Sequence, residues 1–100
     1  MAAKTKTLAE FLKLAREKAG LSQRQIADDL GYQSAQFISN WERGISSPPM
    51  KTLKQLGELY SVSAEDLYEI MVEDTLRRVE ADLHREFYGA KARAASRRRA

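Results

Sequence analysis

An all-α bundle of five helices, the last extended and followed by a basic tail, is the fold class that this sequence predicts. Three observations carry it. Serine or threonine recurs ahead of apolar stripes with helical spacing, each paired three positions later with Glu, Gln or Asp; single glycines stand where those stripes end; and no all-β pattern appears anywhere. A chain of 100 residues, 43% apolar, with 5 Gly and 2 Pro, suits one small core and leaves the helices uninterrupted.

Thr7 with Glu10 forms a capping box that opens a first helix, running to about Ala19. Its stripe of Leu8, Phe11, Leu12 and Ala15 faces the core, and Gly20 ends it. Ser22 with Gln25 is a second box, so a helix starts at Gln23, with Ile26, Ala27 and Leu30 on one face. Gly31 stops it, because the position after a helix commonly takes the left-handed conformation that glycine adopts without steric cost. Ser34 is the next N-cap, and Phe37, Ile38 and Trp41 supply the stripe of a third helix ending near Gly44. Ser47-Pro48-Pro49 breaks the chain, and a fourth helix runs from about Pro49 to Tyr60 on Leu53, Leu56 and Tyr60. Ser63 with Asp66 opens the fifth, whose pattern continues to Tyr88 without a Gly or Pro.

The third helix holds the most telling side chains. Opposite its apolar stripe lie Ala35, Gln36, Ser39, Asn40 and Arg43. Gln and Asn can bond bidentately to adenine, Ser can donate or accept, Ala can touch a thymine methyl, and Arg suits guanine or phosphate. A polar surface helix is the bland alternative. The glycine turn before it and the small Ala27, which lets two helices cross closely, favour a helix pair built to present that face.

These residues resemble the Cro/cI-type helix-turn-helix family, which includes phage repressors and many small bacterial regulators. The matching pattern comprises Leu12, Ala15, Arg16, Gly20-Leu21-Ser22-Gln23, Ile26-Ala27, Leu30-Gly31, Ile38-Ser39, Trp41-Glu42-Arg43-Gly44, Pro49, Thr52-Leu53 and Leu56, and covers roughly residues 7 to 70. The resemblance implies a lambda-repressor-like five-helix bundle that binds double-stranded DNA with the helix of about residues 35–43 in the major groove. It makes Gln36, Ser39 and Asn40 the base readers, together with Ser34 and Ala35, and adds Gln33 from the turn. Gln23, at a helix N-terminus, and Arg43 are implied phosphate contacts. Arg16 and Glu42 match a buried ion pair, with Arg16 a further phosphate candidate. One departure stands out: the family commonly counts twelve positions from the turn glycine to the closing glycine, and here Gly31 to Gly44 is thirteen. The extra residue lies in Tyr32-Gln33-Ser34, which lengthens the turn. Tyr32 packs in it or reaches a phosphate through its hydroxyl, and packing is the favoured reading.

Beyond residue 70 the chain exceeds the minimal domain. Leu67, Met71, Leu76, Val79, Leu83 and Phe87 form a further stripe that must bury itself on something. It folds back on its own domain, against Leu14, or it pairs with a second copy through a seam of Leu76, Val79, Leu83 and Phe87 over residues 71–88. The homodimer is preferred, because the bundle already has apolar residues enough for its core. Two copies on a palindromic operator would set their recognition helices ~34 Å apart.

Charge divides along the same lines. Residues 1–60 hold nine Lys or Arg against six acids, residues 61–90 hold three against eight, and residues 91–100 carry five basic residues and no acid. The tail of residues 89–100 is read as disordered in isolation, and it serves either as a solubilising end or as an arm that tracks phosphates.

Other classes have little support. No Cys is present, so disulfides and thiolate metal sites are excluded and a reducing cytoplasm, with association to the nucleoid, is expected. No run of about 18 apolar residues points to a membrane, and residues 1–7 lack the apolar stretch of a signal peptide. The single histidine, His84, has no catalytic neighbours, and the adjacent acids Asp28-Asp29 and Glu73-Asp74 read as solvated faces rather than metal sites, so neither enzyme nor cofactor is expected. About 30 residues follow the bundle, too few for a ligand pocket of their own. Two functions remain: a DNA-binding transcriptional regulator acting as a homodimeric repressor, or an antitoxin-like or adaptor protein whose acidic C-terminal helix binds a protein partner.

Overall fold

A computed structural model describes residues 7–89, and the basic residues from 90 onward, on which the tail reading rests, lie outside the described residues. The chain folds as an all-α bundle of five helices: α1 Leu8–Lys18, α2 Gln23–Leu30, α3 Gln36–Glu42, α4 Met50–Leu59 and α5 Ala64–His84. A π-helical turn, Arg85–Gly89, continues α5. Both expected capping boxes are formed: Thr7 Oγ1 accepts from the Glu10 amide and Ser22 Oγ from the Gln25 amide, with the Glu and Gln side chains returning the bond to the cap amides. Ser63 Oγ accepts from the Asp66 amide at 3.1 Å and starts α5.

The core draws on all five helices, with α3 packed against both α1 and α2 and α5 against α1 and α4. Leu8, Leu12, Ile26, Ala27, Ile38, Trp41, Leu53, Leu56 and Tyr60 are all buried, as their spacing predicts. Gly31, at φ +85°, closes α2 in a left-handed turn in which the Tyr32 amide reaches back to the Ala27 carbonyl at 2.8 Å. Ser61 takes the same conformation after α4, at φ +56°, without glycine's freedom.

Several expectations are corrected. The third helix starts at Gln36, not after Ser34; Ala35 is its cap, and Ser34 Oγ only accepts from the Gln36 amide, at 3.3 Å, inside the turn. Tyr32 packs against the core from the turn ahead of it. Phe37 leaves the core: it is 53% exposed and stacks on the Tyr32 ring at 4.9 Å.

The single stripe drawn along α5 is in fact two. Leu67, Ile70 and Asp74 face the bundle and are buried, whereas Leu76, Val79, Leu83 and Phe87 are exposed. At about 100° per residue, Leu76 stands roughly 180° around the helix from Leu67, so the five-residue step after Met71 carries the pattern to the opposite face. The fold-back on Leu14 is not made, since Leu14 is itself 47% exposed.

Asp74, read as part of a solvated face, is only 7% exposed. Its Oδ1 accepts from the Leu8 amide at 3.1 Å, capping α1 from a distance, and both oxygens meet Arg77 and Arg78. With α4, α5 forms an open apolar groove of about 700 Å³ lined by Met50, Leu53, Val62, Tyr68, Met71 and Val72.

Candidate nucleic-acid interface

Ile38 and Trp41 bury one side of α3 and thereby fix what the other side presents. On that side Gln36 is exposed, Ser39 and Asn40 are half-buried, and Arg43 is exposed at the helix end. Gln36 Nε2 donates to Asn40 Oδ1 at 2.8 Å across one helical turn. That bond leaves Gln36 Oε1 as an acceptor and the Asn40 amide nitrogen as a donor, a pair whose polarity matches the N6–H and N7 of adenine. Ala35 is placed differently from the expectation: it packs against the core, so its methyl contributes to folding rather than to the outer face. Gln33 and Ser34 are exposed in the turn ahead of it.

The base of α3 is held by a buried network. Arg16 Nε and Nη2 meet the Glu42 carboxylate at 2.6 and 3.0 Å, and Nη1 donates to the Leu21 carbonyl at 2.8 Å. The two side chains are 11% and 3% exposed. Gln23 Nε2 adds a third donor to Glu42 at 2.9 Å, which ties the start of α2 to the end of α3. The hydrogen bond to Glu42 holds the Arg16 guanidinium above its ordinary range, against the opposing effect of burial. Burial first, and then the Glu42 carboxylate, push the neighbouring Tyr60 hydroxyl well above its ordinary range. Arg16 and Gln23 are therefore engaged inward, whereas Arg43 points from the same corner into solvent.

One cation was passed over in the sequence. Arg24 is exposed, pairs with Asp28 at 3.3 Å and donates to the Gln33 carbonyl at 3.3 Å, so it bridges α2 and the enlarged turn. A cation in the first turn of a helix opposes the helix dipole, and that local disfavour is the signal by which it could have been found. Among the described residues no group of His, Cys, Asp and Glu could hold a metal ion, and no helix is long and apolar enough to cross a membrane.

Comparison with known proteins agrees with this geometry. The family model described as helix-turn-helix matches residues 12–67. The HTH-type transcriptional regulator ImmR of Bacillus subtilis (strain 168) is 35% identical over 77 residues, which are 77% of this chain and 58% of that protein. The uncharacterized HTH-type transcriptional regulator Rv0474 of Mycobacterium tuberculosis (strain ATCC 25618 / H37Rv) is 38% identical over 58 residues, 58% of this chain and 41% of that protein. The chain thus spans about half the length of the curated relatives it matches, and no solved structure matches it significantly. On the pattern, the bundle and the matched segment together, the chain belongs to the Cro/cI-type helix-turn-helix family.

Proposed function

We propose that this protein is a sequence-specific DNA-binding transcription regulator that acts as a homodimer, repressing from a palindromic operator in the cytoplasmic nucleoid. The observation that carries the reading is the outer face of α3, where a bonded Gln36–Asn40 pair, Ser39 and Arg43 share one edge of a helix locked by Ile38, Trp41 and Glu42. Gln36, Ser39 and Asn40 read bases, with Gln33 and Ser34 reaching in from the turn. Arg43 and Arg24 flank them on phosphates, helped by the amide dipoles at the start of α2 near Gln23. Arg16 and Glu42 keep the helix in place. The exposed stripe of Leu76, Val79, Leu83 and Phe87 supplies the dimer seam.

Selection of bound sequences from a random DNA pool with the full chain tests this. Two related half-sites, 10–10.5 base pairs apart centre to centre or a multiple of it, are the expected result. Gln36→Ala with Asn40→Ala should remove ~2 to 6 kcal/mol of specific binding and leave non-specific binding nearly intact. A pool that yields no enriched sequence overturns the reading. Retention of a protein partner by that double variant, with no sequence enriched, would instead mark an adaptor working through α5.

A further inference from the structure

The groove between α4 and α5 and the free end of α5 belong to one surface. Val72 and Leu76 line the groove, and Leu76, Val79, Leu83 and Phe87 continue from it along the helix, all exposed. Leu83 and Phe87, four residues apart, lie on one side of the helix, and Phe87 falls in the π-helical turn Arg85–Gly89.

This stripe is its own complement when reversed. A two-fold axis between Val79 and Glu80 sets Val72 against Phe87 and Leu76 against Leu83. From Val72 to Phe87 is about 22 Å of helix at 1.5 Å per residue, so the end of one helix reaches the groove of the other. A parallel pair would put both grooves at one end and leave them uncovered. A small ligand fits the groove poorly, because such pockets carry converging polar groups and this lining is almost wholly apolar.

We infer that α5 pairs antiparallel with α5 of a second copy, and that Leu83 and Phe87 of each copy seat in the α4–α5 groove of the other. The inference rests on the homodimer reading and adds direction, register and the occupant of the groove. The dimer is then built from six helical segments, two α4, two α5 and two π-helical ends, rather than from a two-helix seam.

The chain has no cysteine, so single cysteines report without background. Full-length copies with Leu76→Cys and Leu83→Cys, which the axis sets face to face on the exposed stripe, are mixed and oxidised. The mixed disulfide should exceed either self-disulfide at least tenfold. Val79→Cys, beside the axis, links to itself in any pairing of these helices. Met50→Glu, at the far wall of the groove and 58% exposed, should weaken dimerisation at least tenfold by sedimentation with unchanged helix content. The apolar dye ANS should bind the groove only as dimers dissociate. Self-linking at Val79 with Leu76→Cys joined to itself overturns the antiparallel register while the homodimer stands. An unchanged dimer constant for Met50→Glu, or equal dye binding by monomer and dimer, overturns the occupancy of the groove. No link at Val79 and a monomer at every concentration overturn the homodimer reading, and this inference with it.

Discussion

Replacing Asp74 with alanine should cost far more than the loss of a surface acid, and the magnitude follows from α1. The first amides of a helix have no partner within it. Thr7 Oγ1 takes the Glu10 amide, and Asp74 Oδ1, arriving from 66 residues away, takes the Leu8 amide at 3.1 Å. Alanine leaves that buried donor without its acceptor, at about 1–3 kcal/mol. The ion pairs to Arg77 and Arg78 add little, because those side chains are well exposed, and such pairs are worth about 0.2–1 kcal/mol at most. A total of about 2–3 kcal/mol lowers the midpoint of a domain this size by roughly 8–24 °C, at about 4–8 °C per kcal/mol. Melting followed by circular dichroism measures it, with Asp74→Asn alongside. Asparagine keeps an acceptor for Leu8 and should cost less than half as much. Equal losses for the two variants would show that the arginine pairs carry the effect, and an alanine loss within ~0.5 kcal/mol, the range of an ordinary surface change, would show that the remote cap contributes nothing.

Three further outcomes are expected. The raised Tyr60 hydroxyl favours the neutral form in the folded state, so its contribution is complete below the ordinary tyrosine value of about 10 and is lost as pH rises beyond it; urea midpoints should fall between pH 9 and 11, and Tyr60→Phe should flatten that fall. Glu42→Gln strands the Arg16 charge in a buried site and should cost about 3–5 kcal/mol, read by urea unfolding at pH 7. Ser61→Gly relieves the left-handed backbone at φ +56° and should raise stability by about 0.5–1 kcal/mol, with an unchanged or lowered melting point counting against it.

Local signals were the legible ones. Thr7, Ser22 and Ser63 open helices because a hydroxyl and an amide three residues apart need nothing beyond the chain between them, and the glycines at φ +75° to +85° close them for the same local reason. What escaped the sequence depends on distance or phase. Nothing near Asp74 announces that its partner is the Leu8 amide. The two faces of α5 share one run of apolar residues, and only the five-residue step after Met71 separates them. Phe37 shares the apolar run of Ile38 and Trp41 but stands at the edge of their face, where its ring meets Tyr32 instead of the core.

The position of α3 follows from which of its ends is anchored. Its C-terminal end is fixed three ways: Trp41 in the core, Glu42 in a carboxylate site filled by Arg16 and Gln23, and Ile45 returning its amide to the Asn40 carbonyl at 2.9 Å. Its N-terminal end hangs on the enlarged turn, where Tyr32 stacks on Phe37 and Arg24 holds the Gln33 carbonyl from an exposed site. Buried charged bonds are worth several times an exposed contact, so an added turn residue is absorbed where the restraint is weaker. On the proposed reading the added residue is taken up at Gln33, Ser34 and Ala35 rather than at Asn40 and Arg43. On the proposed reading, specificity toward bases facing the turn is free to differ from that of shorter-turned relatives, while the contact made by Asn40 and the phosphate clamp at Arg43 keep the family's geometry.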